Sequence, residues 1–342
     1  MKKSGISLLA CCLLVMTSCH NRQLTDAIQE IMPVDSIELE LGQQDDIFIY
    51  DGKLFTIDSK TIDNNFVQVY DLSTKQFLFS FAPKGPGPDE FGENSVSHID
   101  FYEKDGKQMV EVYEFNTKLA TYSYESLMRD KSAAKPMLVR RVHEITTDIL
   151  KVLKTDDGYI TTGFHPEGKY LFLNDSLEVS GYAGDYRPKP NESYDDFVHF
   201  MANYGALGMS ADRHYLAECI TIAPIMTLYE LKNHSLVKMW ENVKQEIDYV
   251  PTSEASFADK SEHGYISATI TDRFVYGLLM GEPEDDEIGH YEREVHVFDI
   301  HTGEIVQKYL LDRPSRKILV HGGKLYVLTH YPEPTILIYN QM

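Results

Sequence analysis

The sequence is poor in cysteine, tryptophan and positive charge. Its 342 residues hold 4 Cys, 1 Trp, and 32 Lys+Arg against 53 Asp+Glu. Each shortage excludes something. A formal net charge of −21 leaves no basic face to follow a phosphate backbone, so nucleic acid is excluded as a partner. An anionic lipid surface is excluded as an electrostatic partner for the same reason. Cys11, Cys12 and Cys19 crowd the N-terminus, and only Cys219 lies in the body, which therefore has no intrachain disulfide. The run Leu216-Ala217-Glu218-Cys219-Ile220 makes Cys219 a small buried hydrophobe rather than a reactive thiol. A single tryptophan, Trp240, is expected in the core of an outer strand, and it cannot carry a repeating WD or Asp-box signature. Neither a G-x-S-x-G elbow nor an HExxH spacing occurs, although there are 13 His. No metal and no cofactor is expected. The apolar fraction of 43% is that of a folded chain.

The N-terminus reads as an address. Met1-Lys2-Lys3 is basic, Ile6 to Met16 is apolar, and Met16-Thr17-Ser18-Cys19 sets small residues before a cysteine. This is the pattern of a bacterial lipobox, so residues 1–18 are expected to be a signal peptide and Cys19 the lipidated residue. The apolar stretch is too short to cross a hydrocarbon core of about 30 Å comfortably. The body lacks any apolar run of spanning length, which leaves the lipid as its only membrane attachment. Residues 19–32 are expected to be a polar tether ending in a helical turn, and 33–342 a single domain.

The body has no long helical period. Short runs of Val, Ile, Tyr, Phe and Thr alternate with Gly, Asn and Asp. An aromatic or apolar residue followed by an acid or amide recurs six times: Tyr70-Asp71, Tyr113-Glu114, Leu173-Asn174, Tyr229-Glu230, Phe298-Asp299 and Tyr339-Asn340. Hairpins precede the copies. The clearest are Ile47 to Ile57 around Asp51-Gly52 and Ile318 to Leu328 around Gly322-Gly323. Six copies at such spacing fit the four-stranded blades of an all-β, six-bladed β-propeller. Two β-sandwiches in tandem would not generate six similar hairpins. The last copy stops short of a fourth strand, and Ser36 to Leu41 alternates cleanly, so that segment is expected to complete the last blade and close the ring.

These segments carry a resemblance. Lys84-Gly85-Pro86-Gly87-Pro88-Asp89-Glu90-Phe91 resembles a Gly-rich segment of the TolB-like six-bladed β-propeller lipoproteins of Bacteroidota, with an extra Pro-Asp here. Ser210 to Ala217 is similar to the start of that family's fourth blade, and Thr271 to Leu278 to a strand of its fifth. Val297-Phe298-Asp299 to Leu311-Asp312 and Lys324-Leu325-Tyr326 resemble its last two blades. The resemblance implies the propeller fold and an envelope location, and no particular reaction. Surface-exported lipoproteins of that phylum carry acidic residues after the lipidated cysteine. Here His20-Asn21-Arg22-Gln23 follow, so an outer-membrane anchor facing the periplasm is expected.

Candidate binding residues come from two connections. Lys84 and Glu90 flank the stiff Gly-Pro loop, whose other role is a crossover with Phe91 plugged between blades. The longest insertion, 183–205, offers Tyr186, Arg187, His199 and Tyr204, rings and a guanidinium suited to sugars, peptides or carboxylates. Its other reading is a capping helix from Tyr194 to Ala202. His263, just before a strand, is a candidate for the central channel. The acidic run Glu282 to Glu287 lacks the alternating ligands of a calcium loop and reads as solvated. The expected role is a monomeric binding or scaffold module for a peptide, glycan or envelope protein. The alternative is a polysaccharide hydrolase or lyase using acids or His at the channel, which would show as carboxylates of raised pKa.

Overall fold

The computed structural model describes residues 27–40, 42–60, 63–92, 96–115, 118–141, 149–165, 167–251, 255–257, 262–281, 293–330 and 332–340. The expected signal segment 1–18, Cys19 and the acidic run 282–287 lie outside them.

Six antiparallel sheets are arranged as the blades of a β-propeller. From the centre outward, blade 1 is Gln44–Tyr50, Lys53–Asp58, Asn65–Asp71 and Phe77–Pro83. Blade 2 is Val96–Lys104, Lys107–Glu114, Lys118–Ser123 and Leu138–Arg141. Blade 3 is Ile149–Thr155, Gly158–Gly163, Tyr170–Leu173 and Val179–Ala183. Blade 4 is Leu207–Met209, Tyr215–Ile220, Ile225–Lys232 and Ser235–Val243. Blade 5 holds His263–Ile270, Phe274–Gly281, Glu294–Asp299 and Ile305–Leu310, and blade 6 begins with Lys317–His321, Lys324–Thr329 and Thr335–Asn340.

The recurring aromatic-acid pairs have a physical reason. In three of them the first residue is buried while the acid or amide holds the turn that follows. Tyr70 and Phe298 are buried, and the Oδ1 of Asp71 accepts from the N–H of Ser73 (3.0 Å) and Thr74 (2.8 Å). Asp299 accepts from His301 (2.9 Å) and Thr302 (3.0 Å), and Asn174 from Ser176 (2.8 Å) and Glu178 (3.0 Å). These are side-chain turns of the Asx type. The tight hairpins use positive φ at both central residues, 46° and 68° at Asp51-Gly52, which matches the strand twist.

Middle strands are covered on both faces by neighbouring blades. Phe66, Val67, Val69 and Tyr70 are all buried in one strand, and so is the polar Gln68. Its amide is satisfied inside the blade, donating to Asp58 (3.2 Å) and accepting from the Tyr70 hydroxyl (2.5 Å).

The N-terminal segment supplies two strands. Asp35–Glu38 lies antiparallel on Thr335–Asn340, pairing Ser36 with Leu337 and burying Ile37, as the outer strand of blade 6. The strand covers 35–38 rather than 36–41, and Leu39 continues its register with one further bond, donating to the Pro334 carbonyl (3.2 Å). Before it, Ile28–Glu30 pairs in parallel with Ile305–Leu310 and adds a fifth strand to blade 5. Those residues read from sequence as the end of a helical tether. The edge of blade 5 captures them as strand, and Ile31 is buried behind them. Two helices interrupt the strands. Tyr124–Asp130 was not legible in the sequence, and Asp196–Asn203 sits close to the expected capping helix.

Candidate functional site

Each inner strand starts where a crossover arrives from the preceding blade. One face of the ring therefore gathers these crossovers, among them 84–91 and 184–206. At its centre a funnel of about 460 Å³ is lined by Asp45, Tyr204, Ala206, Thr221, Arg316 and Lys317. A second cavity of about 580 Å³ runs down the axis and takes wall residues from all six inner strands. Ala206 and Lys317 line both, so the two spaces meet there.

The meeting point is charged. Oδ2 of Asp46 stands 3.6 Å from the Lys151 ammonium and 3.7 Å from that of Lys317. Burial pushes the Asp46 carboxyl up, but the two lysines overcome it and hold the carboxyl below its usual range. Lys151 moves down because it is desolvated, with the charge of Lys317 adding to the effect. Alongside, His98 Nε2 lies 3.2 Å from Asp100 Oδ2, and the Lys154 backbone N–H donates to the same oxygen (2.8 Å). Asp100 is held down too: His98, this N–H and Arg213 outweigh its burial. Arg213 donates to the Phe101 carbonyl (2.6 Å), and Arg316 pairs with Asp45 at 3.3 Å. Among the described residues, every carboxylate with a resolved pKa shift is shifted downward. These groups are set to stay charged, which suits holding a ligand better than donating a proton.

The residues singled out from sequence fall into separate places. Lys84 and Glu90 line neither the funnel nor the channel. Their loop is built as a crossover: Glu90 Oε2 accepts from the Gly87 N–H (2.7 Å), and Phe91 is fully buried with the Lys118 ammonium 4.8 Å above its ring. The insertion does bring Tyr186, Arg187 and His199 together. Asp195 caps helix Asp196–Asn203 by accepting from Phe197 N–H (2.8 Å), and His199 on that helix meets the Arg187 carbonyl (2.7 Å) and the Tyr249 hydroxyl (3.1 Å). With both ring nitrogens engaged and burial lowering its pKa, His199 is a fastener. Tyr186 and Arg187 line a separate groove of about 420 Å³ between blades 3 and 4. There Arg187 pairs with Glu241 and Glu246, both at 2.7 Å. Tyr204 alone of the four reaches the funnel. It does so because Gly205 lets the crossover press onto blade 4, where a Cβ would come 1.8 Å from the Cys219 carbonyl oxygen. His263 is buried at the start of its strand. The channel wall of blade 5 begins only at Ile266, past a bulge between Tyr265 and Ser267, so His263 does not face the axis.

Asp46, His98, Asp100, Lys151, Arg213 and Lys317 were not found from sequence. The available signal was a charged residue at the edge of a predicted inner strand, as in Asp45-Asp46 before Ile47 and Arg316-Lys317 before Ile318. Among the described residues no three His, Cys, Asp or Glu cluster to hold a metal.

The fold is shared with proteins of distant sequence. A Bacteroides fragilis protein assigned as exported is 11% identical, with a TM-score of 0.54 over 92% of this chain and 99% of its own. Regucalcin, a calcium-binding protein from Agrobacterium tumefaciens, is 8% identical, with a TM-score of 0.51 over 92% and 98%. A luciferin-regenerating enzyme is 11% identical, with a TM-score of 0.50 over 89% and 92%. At such identities the likeness extends to the fold alone. No curated protein matches in sequence. The sequence profile of the TolB-like 6-blade propeller-like family does match, over residues 42–322, and the chain belongs to that family.

Proposed function

We propose that this chain is a ligand-binding module of the cell envelope, anchored through a lipid on Cys19 and facing the periplasm. Its ligand enters the funnel on the crossover face and reaches the axial channel. The ligand is a small molecule or the end of a peptide or glycan, of a size that suits spaces of about 460 and 580 Å³. The observation that carries this reading is the funnel itself, a concave space of about 460 Å³ continuous with a channel that has charged groups at the junction. The downward pKa shifts of Asp46 and Asp100 support a binder over an acid catalyst. The polysaccharide hydrolase or lyase remains the second reading, and the His98–Asp100 pair on the channel wall is the arrangement that favours it.

The test is a thermal melt of the full chain with peptides and with neutral and acidic glycan fragments. A ligand at a hundred times its dissociation constant adds about 2.7 kcal/mol, a visible shift. The shift is expected to vanish when Tyr204→Ala and Arg316→Ala open the funnel wall. Turnover of the bound glycan would replace the binder with the enzyme. A flat screen across all classes would overturn the module reading.

A further inference from the structure

The junction between funnel and channel sets two ammonium groups on one carboxylate, within a chain whose formal net charge is −21. Lys151 and Lys317 share one carboxylate, and both stop 3.6–3.7 Å from the same oxygen of it, beyond the optimum of about 2.7–3.2 Å for such a bond. Around them the walls of the two spaces hold four cations, Lys151, Lys317, Arg213 and Arg316, and four carboxylates, Asp45, Asp46, Asp51 and Asp100, but Arg316 has Asp45 to itself while Lys151 and Lys317 share Asp46. An ammonium group drawn from water into a lined cavity needs compensation, and here one carboxylate serves two. Below this level the wall turns apolar. Phe48, Ile49, Phe101, Met209, Leu319 and Val320 are half-buried around the cavity of about 580 Å³.

We infer that Lys151 and Lys317 form a receptor for the carboxylate of a small ligand whose apolar body lies along the lower channel. The inference rests on the binding-module reading and names its ligand class. The carboxylate supplies the negative charge that Asp46 provides only once, and it accepts from two ammonium groups on opposite sides of the ring. The apolar body displaces water from Phe48, Phe101 and Leu319. Asp46 then has a second role. It holds the two lysines to one point and competes with the ligand for them, so it sets the affinity low enough for release.

The experiment is calorimetric titration of the full chain with octanoate, octanol and glucuronate. Octanoate is expected to bind at one site, and octanol about tenfold more weakly or undetectably, because only the charge distinguishes them. Lys317→Met is expected to weaken octanoate about tenfold, and Asp46→Asn to tighten it several-fold by freeing both lysines. The Asp46 variant keeps the inference falsifiable if the lysine variant does not fold. Octanol binding as tightly as octanoate, or a weaker octanoate in Asp46→Asn, would overturn the carboxylate receptor. Glucuronate matching octanoate would overturn the apolar body. If octanoate fails while another ligand of the melting screen binds and is insensitive to Lys317→Met, this inference fails and the module reading stands. If nothing binds in either experiment, both fail.

Discussion

The seam between blades 4 and 5 offers a prediction with its own internal control. Trp240, the only tryptophan, leaves the outer strand of blade 4 and packs on the turn of blade 5. Its indole N–H donates to the Ile300 carbonyl (2.8 Å), and its ring stacks on Phe298 at 5.8 Å. Gly303 closes the far side. It sits at φ +70°, and a Cβ there would come 2.5 Å from the indole. Gly303→Ala therefore adds two costs. A left-handed alanine costs about 1–2 kcal/mol. Overpacking against a ring fixed from behind adds about 1–3 kcal/mol. Gly52→Ala isolates the first cost, since Gly52 has φ +68° and nothing within 4 Å of its Cβ position. Gly303→Ala should then lower the melting temperature by roughly 4–10 °C and Gly52→Ala by roughly 2–4 °C, at about 2 °C per kcal/mol for a domain of this size. Far-UV circular dichroism gives the melting temperatures, and the emission of Trp240 reports the seam, shifting red in Gly303→Ala before heating. Trp240→Phe combined with Gly303→Ala should recover part of the loss. Equal melting temperatures for the two glycine variants would refute the packing argument.

Two further outcomes follow from buried groups. His165 is fully buried, and desolvation lowers its pKa to about 4 from an ordinary 6.5. The unfolded chain binds the extra proton between those values, so stability falls as pH drops through that window, by about 2 kcal/mol between pH 8 and pH 5. Urea titrations at the two pH values should show this loss reduced in His165→Gln, and an unchanged pH dependence would contradict the assignment. Phe91→Ala empties the space between blades 1 and 2 and should cost about 3–5 kcal/mol in the same titration. Lys84→Ala should leave both stability and octanoate binding unchanged, and a loss of binding would return the Gly-Pro loop to the site.

The blades were legible because local rules set them. An acid or amide at Asp71, Asn174 and Asp299 fixes a turn within a few residues, and a Gly at positive φ fixes a hairpin, so both leave a trace in the sequence. Segments whose state depends on a distant partner left none. Ile28–Glu30 has too few residues to show a period, and it is a strand only because blade 5 presents an edge. The funnel and channel residues left little trace for a related reason. Arg187 and His199 have conspicuous chemistry, yet their polar atoms are taken up locally by Glu241, Glu246, Tyr249 and a carbonyl. Asp46, Lys151 and Lys317 look like ordinary strand-edge charges, and their meeting is created by closing the ring across three different blades.

The pairing of Ser36 with Leu337 also sets an order of events. The strand that seals the ring is made before every blade and placed last, because its partner is synthesised about 300 residues later. At about 5–20 residues per second that wait lasts roughly 15–60 s. Closing so long a loop costs about 5 kcal/mol of chain entropy on top of a fixed term. During the wait the early segment has no edge of its own to pair with, and the late edge at Thr335–Asn340 is open the moment it forms. A chain of this design is most exposed to misassembly at the end of its synthesis. Holding the N-terminal segment near the nascent C-terminus would speed its completion more than strengthening any single blade.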